Sequence, residues 1–201
     1  MNFLRPKLVG IAILFIVPLL SYAQKKIEIG GELGINVAQL EYHGTTSGST
    51  SKIAAFFTSD FLISDNFSLL GKIGYSSKGG NNLVYNNNSF SGNFNYLSFY
   101  ASPRLYLSTI NSVRPYFHLG PSMSFLLSAK QNDFDLKDET ENMDFALQGG
   151  FGVKFIQNES FIIDLVAGFE QGFSKVISVF QQQIHNRVAP YIGFGVRYRL
   201  Q

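Results

Sequence analysis

The chain has 201 residues, of which 45% are hydrophobic, 15% aromatic and 15% charged, with 20 Phe, 10 Tyr and 19 Gly but no Cys and no Trp. Without Cys there is no disulfide, thiolate metal site, cysteine nucleophile or lipoprotein anchor. Charge is well below the ~25% of ordinary soluble domains, and the hydrophobic content argues against disorder; the excess of Phe, Tyr and Gly points to strands and tight turns.

Residues 1–23 read as a secretory signal peptide. Arg5 and Lys7 form a basic start, an apolar run follows over 8–20, and Ser21-Tyr22-Ala23 offers small residues at the two positions a signal peptidase reads, which places cleavage before Gln24. The apolar run, about 13 residues, is short of the ~20 that a spanning helix needs. Removing Arg5 and Lys7 takes Lys+Arg from 16 to 14, against 14 Asp+Glu. Residues 24–201, read as one barrel domain, are thus formally neutral, and nothing in the charge points to nucleic acid.

From residue 27 the chain alternates with period two. In 27–42, Ile27, Ile29, Leu33, Ile35 and Val37 oppose Glu28, Glu32 and Asn36. In 52–64, Phe57, Phe61 and Ile63 oppose Thr58 and Asp60. In 67–78, Phe67, Leu69, Ile73 and Tyr75 oppose Lys72 and Lys78. In 96–108, Leu97, Phe99, Ala101, Leu105 and Leu107 oppose Ser98, Tyr100, Ser102, Arg104 and Tyr106. In 114–128, Phe117, Leu119, Met123, Phe125 and Leu127 oppose Arg114, His118, Gly120, Ser122 and Ser124. In 143–156, Phe145, Leu147, Phe151, Val153 and Phe155 oppose Asp144, Gln148, Gly150, Gly152 and Lys154. In 160–174, Phe161, Ile163, Leu165 and Phe169 oppose Asp164, Gly168 and Glu170. In 187–201, Val188, Pro190, Ile192, Phe194, Val196, Tyr198 and Leu200 oppose Arg187, Ala189, Tyr191, Gly193, Gly195, Arg197 and Arg199.

Eight strands, each at least the ~9–11 residues of a tilted spanning strand, predict an all-β, eight-stranded antiparallel transmembrane β-barrel. Its connections alternate in length. Those at 64–66, 109–113 and 157–159 are tight turns; those at 43–51, 79–92, 129–142 and 175–186 are long. Short turns then face the periplasm with both chain ends, and long loops face outward. A soluble lipocalin-like barrel would expose the polar face instead. That face is rich in Gly, Ser and Tyr and poor in charge, so it suits a lumen better than a solvated surface. Within the lumen a network of paired charges is expected from Glu28, Glu32, Asp60, Lys72, Arg104, Arg114, Lys154, Asp164, Glu170, Arg197 and Arg199. Closure is required because lipid satisfies no free strand edge.

Five segments resemble one known family: the opening strand 29–38 (Ile-Gly-Gly-Glu-Leu-Gly-Ile-Asn-Val-Ala), 96–107 with its central Pro103, 114–122 (Arg-Pro-Tyr-Phe-His-Leu-Gly-Pro-Ser), 145–155 and 191–200. They are similar to the PorT-like, or porin-family, outer-membrane β-barrels. The resemblance covers residues 24–201 and implies a fold and a compartment, the bacterial outer membrane, but no chemistry. Its partners would be outer-membrane lipids and lipopolysaccharide, with the barrel-assembly machinery during biogenesis. One departure is the ending, Arg199-Leu200-Gln201, where such barrels often finish on an aromatic residue; Tyr198 stands near.

No catalytic, cofactor or metal site emerges. His118 and Ser122 would lie roughly 13 Å apart along a strand at ~3.3 Å per residue, too far for a base to serve a nucleophile. His43 and His185 fall in connections with no nucleophile marked beside them. The acidic run Asp133, Asp135, Asp138, Glu139 and Glu141, with Lys130 and Lys137, lacks the Gly and terminal Glu of a calcium loop. Gly150-Phe151-Gly152 and Gly193-Phe194-Gly195 sit inside strands with no following helix, unlike phosphate loops. The expected role is structural or surface-interacting and non-enzymatic, with a packed lumen. The alternatives are a narrow channel for ions or small solutes, or an accessory component of an outer-membrane secretion system. Among the loops, Tyr85, Phe90, Val179 and Phe180 are the candidate contacts for a surface protein.

Overall fold

Alternation of period two gives each strand one apolar and one polar face, and a sheet of such strands hides one face by curling until its edges meet. In the computed structural model eight long strands do this in chain order: β1 (Ile27–Tyr42), β2 (Thr50–Ser64), β3 (Phe67–Tyr85), β4 (Asn88–Tyr106), β5 (Val113–Gln131), β6 (Met143–Ile156), β7 (Phe161–Gly172) and β8 (Ile184–Leu200). The structure describes residues 27–42, 45–85, 88–107, 110, 112–131, 134–158, 160–177 and 184–200, with the backbone alone for 83–85 and 88–90. Residues 1–23, the expected signal peptide, lie outside them.

Each strand pairs antiparallel with its sequence neighbour, and β8 pairs with β1 from Ile27↔Leu200 to Tyr42↔Ile184. The ring therefore closes with no unpaired edge. Two-residue strands, Thr45–Thr46 and Phe134–Asp135, pair antiparallel with the last residues of β1 and β5 at the end away from the termini. At the opposite end the turns are short. Asn158 accepts the Phe161 N–H at 2.7 Å and the Ser160 N–H at 3.0 Å, a side-chain mimic of a backbone turn.

The segment 79–92, expected as a loop, is instead a continuation of β3 and β4. Their ladder runs on through Gly80↔Gly92 to Tyr85↔Asn88, leaving 86–87 as the connection. Main-chain hydrogen bonds need no apolar alternation, so the polar composition concealed the strand. The ladder's register shifts between Gly80 and Leu83; just before it, Gly79 has a φ of 131°, where L side chains are strained, and a Cβ there would collide with the Gly92 carbonyl.

Side-chain direction is unambiguous over most of the ring. Phe151 is 61% exposed on the outer wall, whereas Gln148, three residues earlier, is 7% exposed in the lumen. Leu33, Ile53, Phe117, Phe169 and Phe194 share the outer wall. An apolar belt of this extent is a lipid-facing surface.

One strand departs from the expected pattern. β8 does not keep one phase over 187–201. A bulge between Val188 and Tyr191 inserts one extra residue relative to both β1 and β7. A one-residue insertion exchanges the faces of everything beyond it. Val188 is consequently buried in the lumen, and Arg187 points outward, 3.9 Å from Glu41.

Candidate functional site

The lumen contains two charge layers. The lower and larger lies toward the chain termini. Asp60 on β2 is its hub: Lys154 reaches it at 2.6 Å and Arg104 at 3.0 Å, Arg197 lies 3.5 Å away, and the Tyr106 hydroxyl donates to it at 2.9 Å. Asp164 on β7 receives Arg197 at 2.7 Å, Arg104 at 3.3 Å and the Tyr116 hydroxyl at 2.7 Å. Glu28 holds Lys154 at 2.5 Å and Arg199 at 2.8 Å. Glu32 takes Lys72, the Tyr191 hydroxyl at 2.6 Å and Arg197 at 3.5 Å. These contacts join five bases (Lys72, Arg104, Lys154, Arg197, Arg199) to four acids (Glu28, Glu32, Asp60, Asp164).

The upper layer is smaller. Lys78 bonds Glu170 and lies 3.2 Å from Asp144. Tyr100 donates to Glu170 at 2.9 Å, and Asn186 donates to Asp144 at 3.0 Å. One base thus faces two acids, so the single surplus charges of the two layers are opposite and cancel. Burying this many charges is tolerable only when each is paired, and breaking one pair strands its partner.

Of the residues expected in the lumen network, Glu28, Glu32, Asp60, Lys72, Arg104, Lys154, Asp164, Arg197 and Arg199 meet in the lower layer. Glu170 belongs to the upper layer. Arg114 is half-buried and makes no ion pair among the described residues; its guanidinium stacks on the Tyr106 ring, 4.0 Å from the centroid. Lys78 and Asp144 were not foreseen as network members. Both stood on the polar faces of their strands, but each sat at the end of an expected strand, next to a segment read as loop.

Above the upper layer the lumen turns apolar. Leu40, Phe94, Leu126, Ala129 and Ile184 point inward and pack with Val176 and Ile177 from the segment after β7. That segment folds back into the mouth. Val176 accepts from the Glu141 N–H at 2.9 Å and donates its own N–H to Ile184, while Ile177 pairs with Thr140. Together these residues form an apolar stopper across the mouth.

Beyond the wall, Asp135 Oδ1 accepts the Lys137 N–H at 2.9 Å, just before a one-turn helix over Lys137–Glu139. Among the described residues no three His, Asp or Glu side chains converge on a common point. His185 Nδ1 lies 2.9 Å from the Ser174 carbonyl. The expected loop contacts cannot be placed by side chain: Val179 and Phe180 lie outside the described residues, and Tyr85 and Phe90 are described by backbone alone. His43 and Asp133 also lie outside them.

A closed ring with a lipid-facing wall and a charge-paired lumen defines a transmembrane β-barrel. The model of the outer membrane protein beta-barrel domain family matches residues 22–178, and the chain belongs to that family and so to the bacterial outer membrane. No curated protein sequence matches it. Among solved structures, the outer membrane protein OprG from Pseudomonas aeruginosa is similar at 12% identity and a TM-score of 0.57, covering 88% of this chain and 96% of that one. Neisserial surface protein A is similar at 16% identity and a TM-score of 0.55, covering 88% and 100%. Ail, the attachment invasion locus protein of Yersinia pestis, aligns at 16% identity and a TM-score of 0.48, covering 87% and 98%. At such identities the likeness is one of fold.

Proposed function

We propose that this small outer-membrane barrel acts by surface interaction, as a non-conducting and non-enzymatic scaffold that presents its extracellular hairpins. The observation that carries this reading is the filling of the lumen: among the described residues, a lattice of paired charges occupies it below and an apolar cluster above. The outer wall is occupied by lipid, so recognition is left to the residues beyond β3–β4, β5–β6 and β7–β8. Within its family the chain belongs with the PorT-like barrels, on the five segments that resemble them. A signal peptide over 1–23 exports it; the family match beginning at residue 22 adjoins the cleavage point before Gln24. Its partners are lipopolysaccharide and outer-membrane lipids around the wall, the assembly machinery during insertion, and a surface protein at the hairpin tips.

The test uses photo-crosslinking residues at Tyr85, Phe90, Val179 and Phe180 in intact cells, with heat-modifiable gel mobility to report folding. Specific adducts from a folded barrel, combined with silence in planar bilayers, are expected. Large stable conductance steps without adducts would promote the channel reading instead.

A further inference from the structure

Between the two charge layers lies a cavity of about 20 Å³. Lys72 of the lower layer and Glu170 of the upper layer both line it, with His118, Gln148, Tyr100 and Asn36. His118 on β5 is 6% exposed, and neither of its ring nitrogens has a hydrogen-bond partner. Its neighbours are otherwise engaged. Gln148 donates to Ser102 Oγ at 2.5 Å, Tyr100 to Glu170, and Asn36 to Ser76 Oγ at 3.1 Å. A buried imidazole left with two unused nitrogens is costly, because each has lost its hydration without replacement.

We propose that this cavity is a built site for one internal water molecule, bound by His118 and shared with the Lys72 and Glu170 ends of the two layers. Size sets the first limit: a site needs about 10–15 Å³ of such volume to hold one water, so this one admits a single small molecule. Charge sets the second. The Lys72 ammonium disfavours a cation, and the Glu170 carboxylate disfavours an anion. A neutral imidazole presents one donor and one acceptor, and an ammonium has three donors, of which Glu32 takes one. A molecule that both donates and accepts, and carries no charge, can bond one of the two His118 ring nitrogens and still face both Lys72 and Glu170. The bound water links the lower lattice to the Lys78 cluster, so the polar core is joined from Arg199 to Asn186 instead of being split at His118.

The experiment is NMR on the full barrel in lipid nanodiscs, with ¹⁵N-labelled His and Gln side chains. Cross-peaks from a long-lived water to the His118 ring and the Gln148 amide are expected. They should be lost in His118→Phe, which keeps bulk but removes both nitrogens; heat-modifiable mobility verifies that this variant folds. A second readout is the His118 ¹⁵N shift, expected at the position of a hydrogen-bonded neutral ring. Absence of the cross-peaks in the native barrel, or their persistence in folded His118→Phe, would overturn the assignment.

Discussion

The ring of Tyr116 lies across Gly152, its partner on the neighbouring strand, while its hydroxyl donates to Asp164 Oδ1 at 2.7 Å. The glycine is what lets the ring lie flat enough to reach. A Cβ at 152 would meet the Tyr116 ring and hydroxyl and, at 2.6 Å, the Leu165 carbonyl, so Gly152→Ala should push the ring off Asp164, strain the β6–β7 pairing and cost about 1–3 kcal/mol, the range for overpacking. Gly71 is the control: a Cβ there meets only the Ser59 carbonyl, at 3.8 Å. Urea titrations in lipid vesicles should show Gly152→Ala well below the native barrel and Gly71→Ala close to it.

The two faces of β6 supply a second comparison. Phe151→Arg places a charge on the lipid-facing wall and should lower stability by about 2–4 kcal/mol if near the bilayer midplane. Gln148→Asn in the lumen loses one hydrogen bond to Ser102, about 1 kcal/mol. Equal effects in the same titration would mean that the assignment of inner and outer faces is wrong.

Charge pairs should differ according to depth. Asp60→Ala takes one partner from Lys154, Arg104 and Arg197, which keep Glu28, Asp164, and Asp164 with Glu32 respectively, and leaves the lower layer with a further uncompensated positive charge; it should cost about 3 kcal/mol, the low end for breaking a buried pair from one side. Arg187→Ala removes a half-exposed partner of Glu41 at 3.9 Å, and surface pairs of this kind contribute about 0–1 kcal/mol. The heat-modifiable band should disappear at a much lower temperature for the first variant only.

The two closures stand in series. Replacing Val176 and Ile177 by Ser should open the mouth and destabilise the barrel, yet leave it silent in a planar bilayer, because the lower lattice still fills the bore. Conductance in that double variant would locate the whole barrier in the stopper.

Hairpin truncation should distinguish two kinds of extracellular segment. Joining β3 to β4 by a tight turn in place of 83–90 removes the backbone pairs from Leu83↔Phe90 to Tyr85↔Asn88 and should leave folding intact, since closure entropy changes slowly with loop length. Deleting 175–183 removes Val176 and Ile177 from the apolar cluster and should weaken the barrel measurably.

Alternation in the sequence was enough to locate all eight strands and to divide most side chains correctly between wall and lumen, because a pleated strand in lipid permits few other patterns. What it concealed has a common physical origin. The bulge at 189–190 carries no periodic signature of its own, so Arg187 and Val188 were assigned to the wrong faces. The extension of β3 and β4 rests on main-chain bonds, which leave polar residues free to occupy it. Lys78 and Asp144 meet through space across strands 66 residues apart in sequence, a distance that no local pattern spans. The fold of Val176 and Ile177 into the mouth depends on a surface that exists only once the ring has closed.

The seam between β8 and β1 has a temporal consequence. Ile27 and Leu200 are paired neighbours, yet nearly the whole chain separates them. The first strand must therefore wait, its outer edge unmatched, until the last has been made and delivered. Long-range pairing of this kind slows folding, because loop closure must precede the contacts that reward it. The barrel is thus completed only once β8 has been made, and a chain truncated anywhere within β8 should leave β1 open along the missing length.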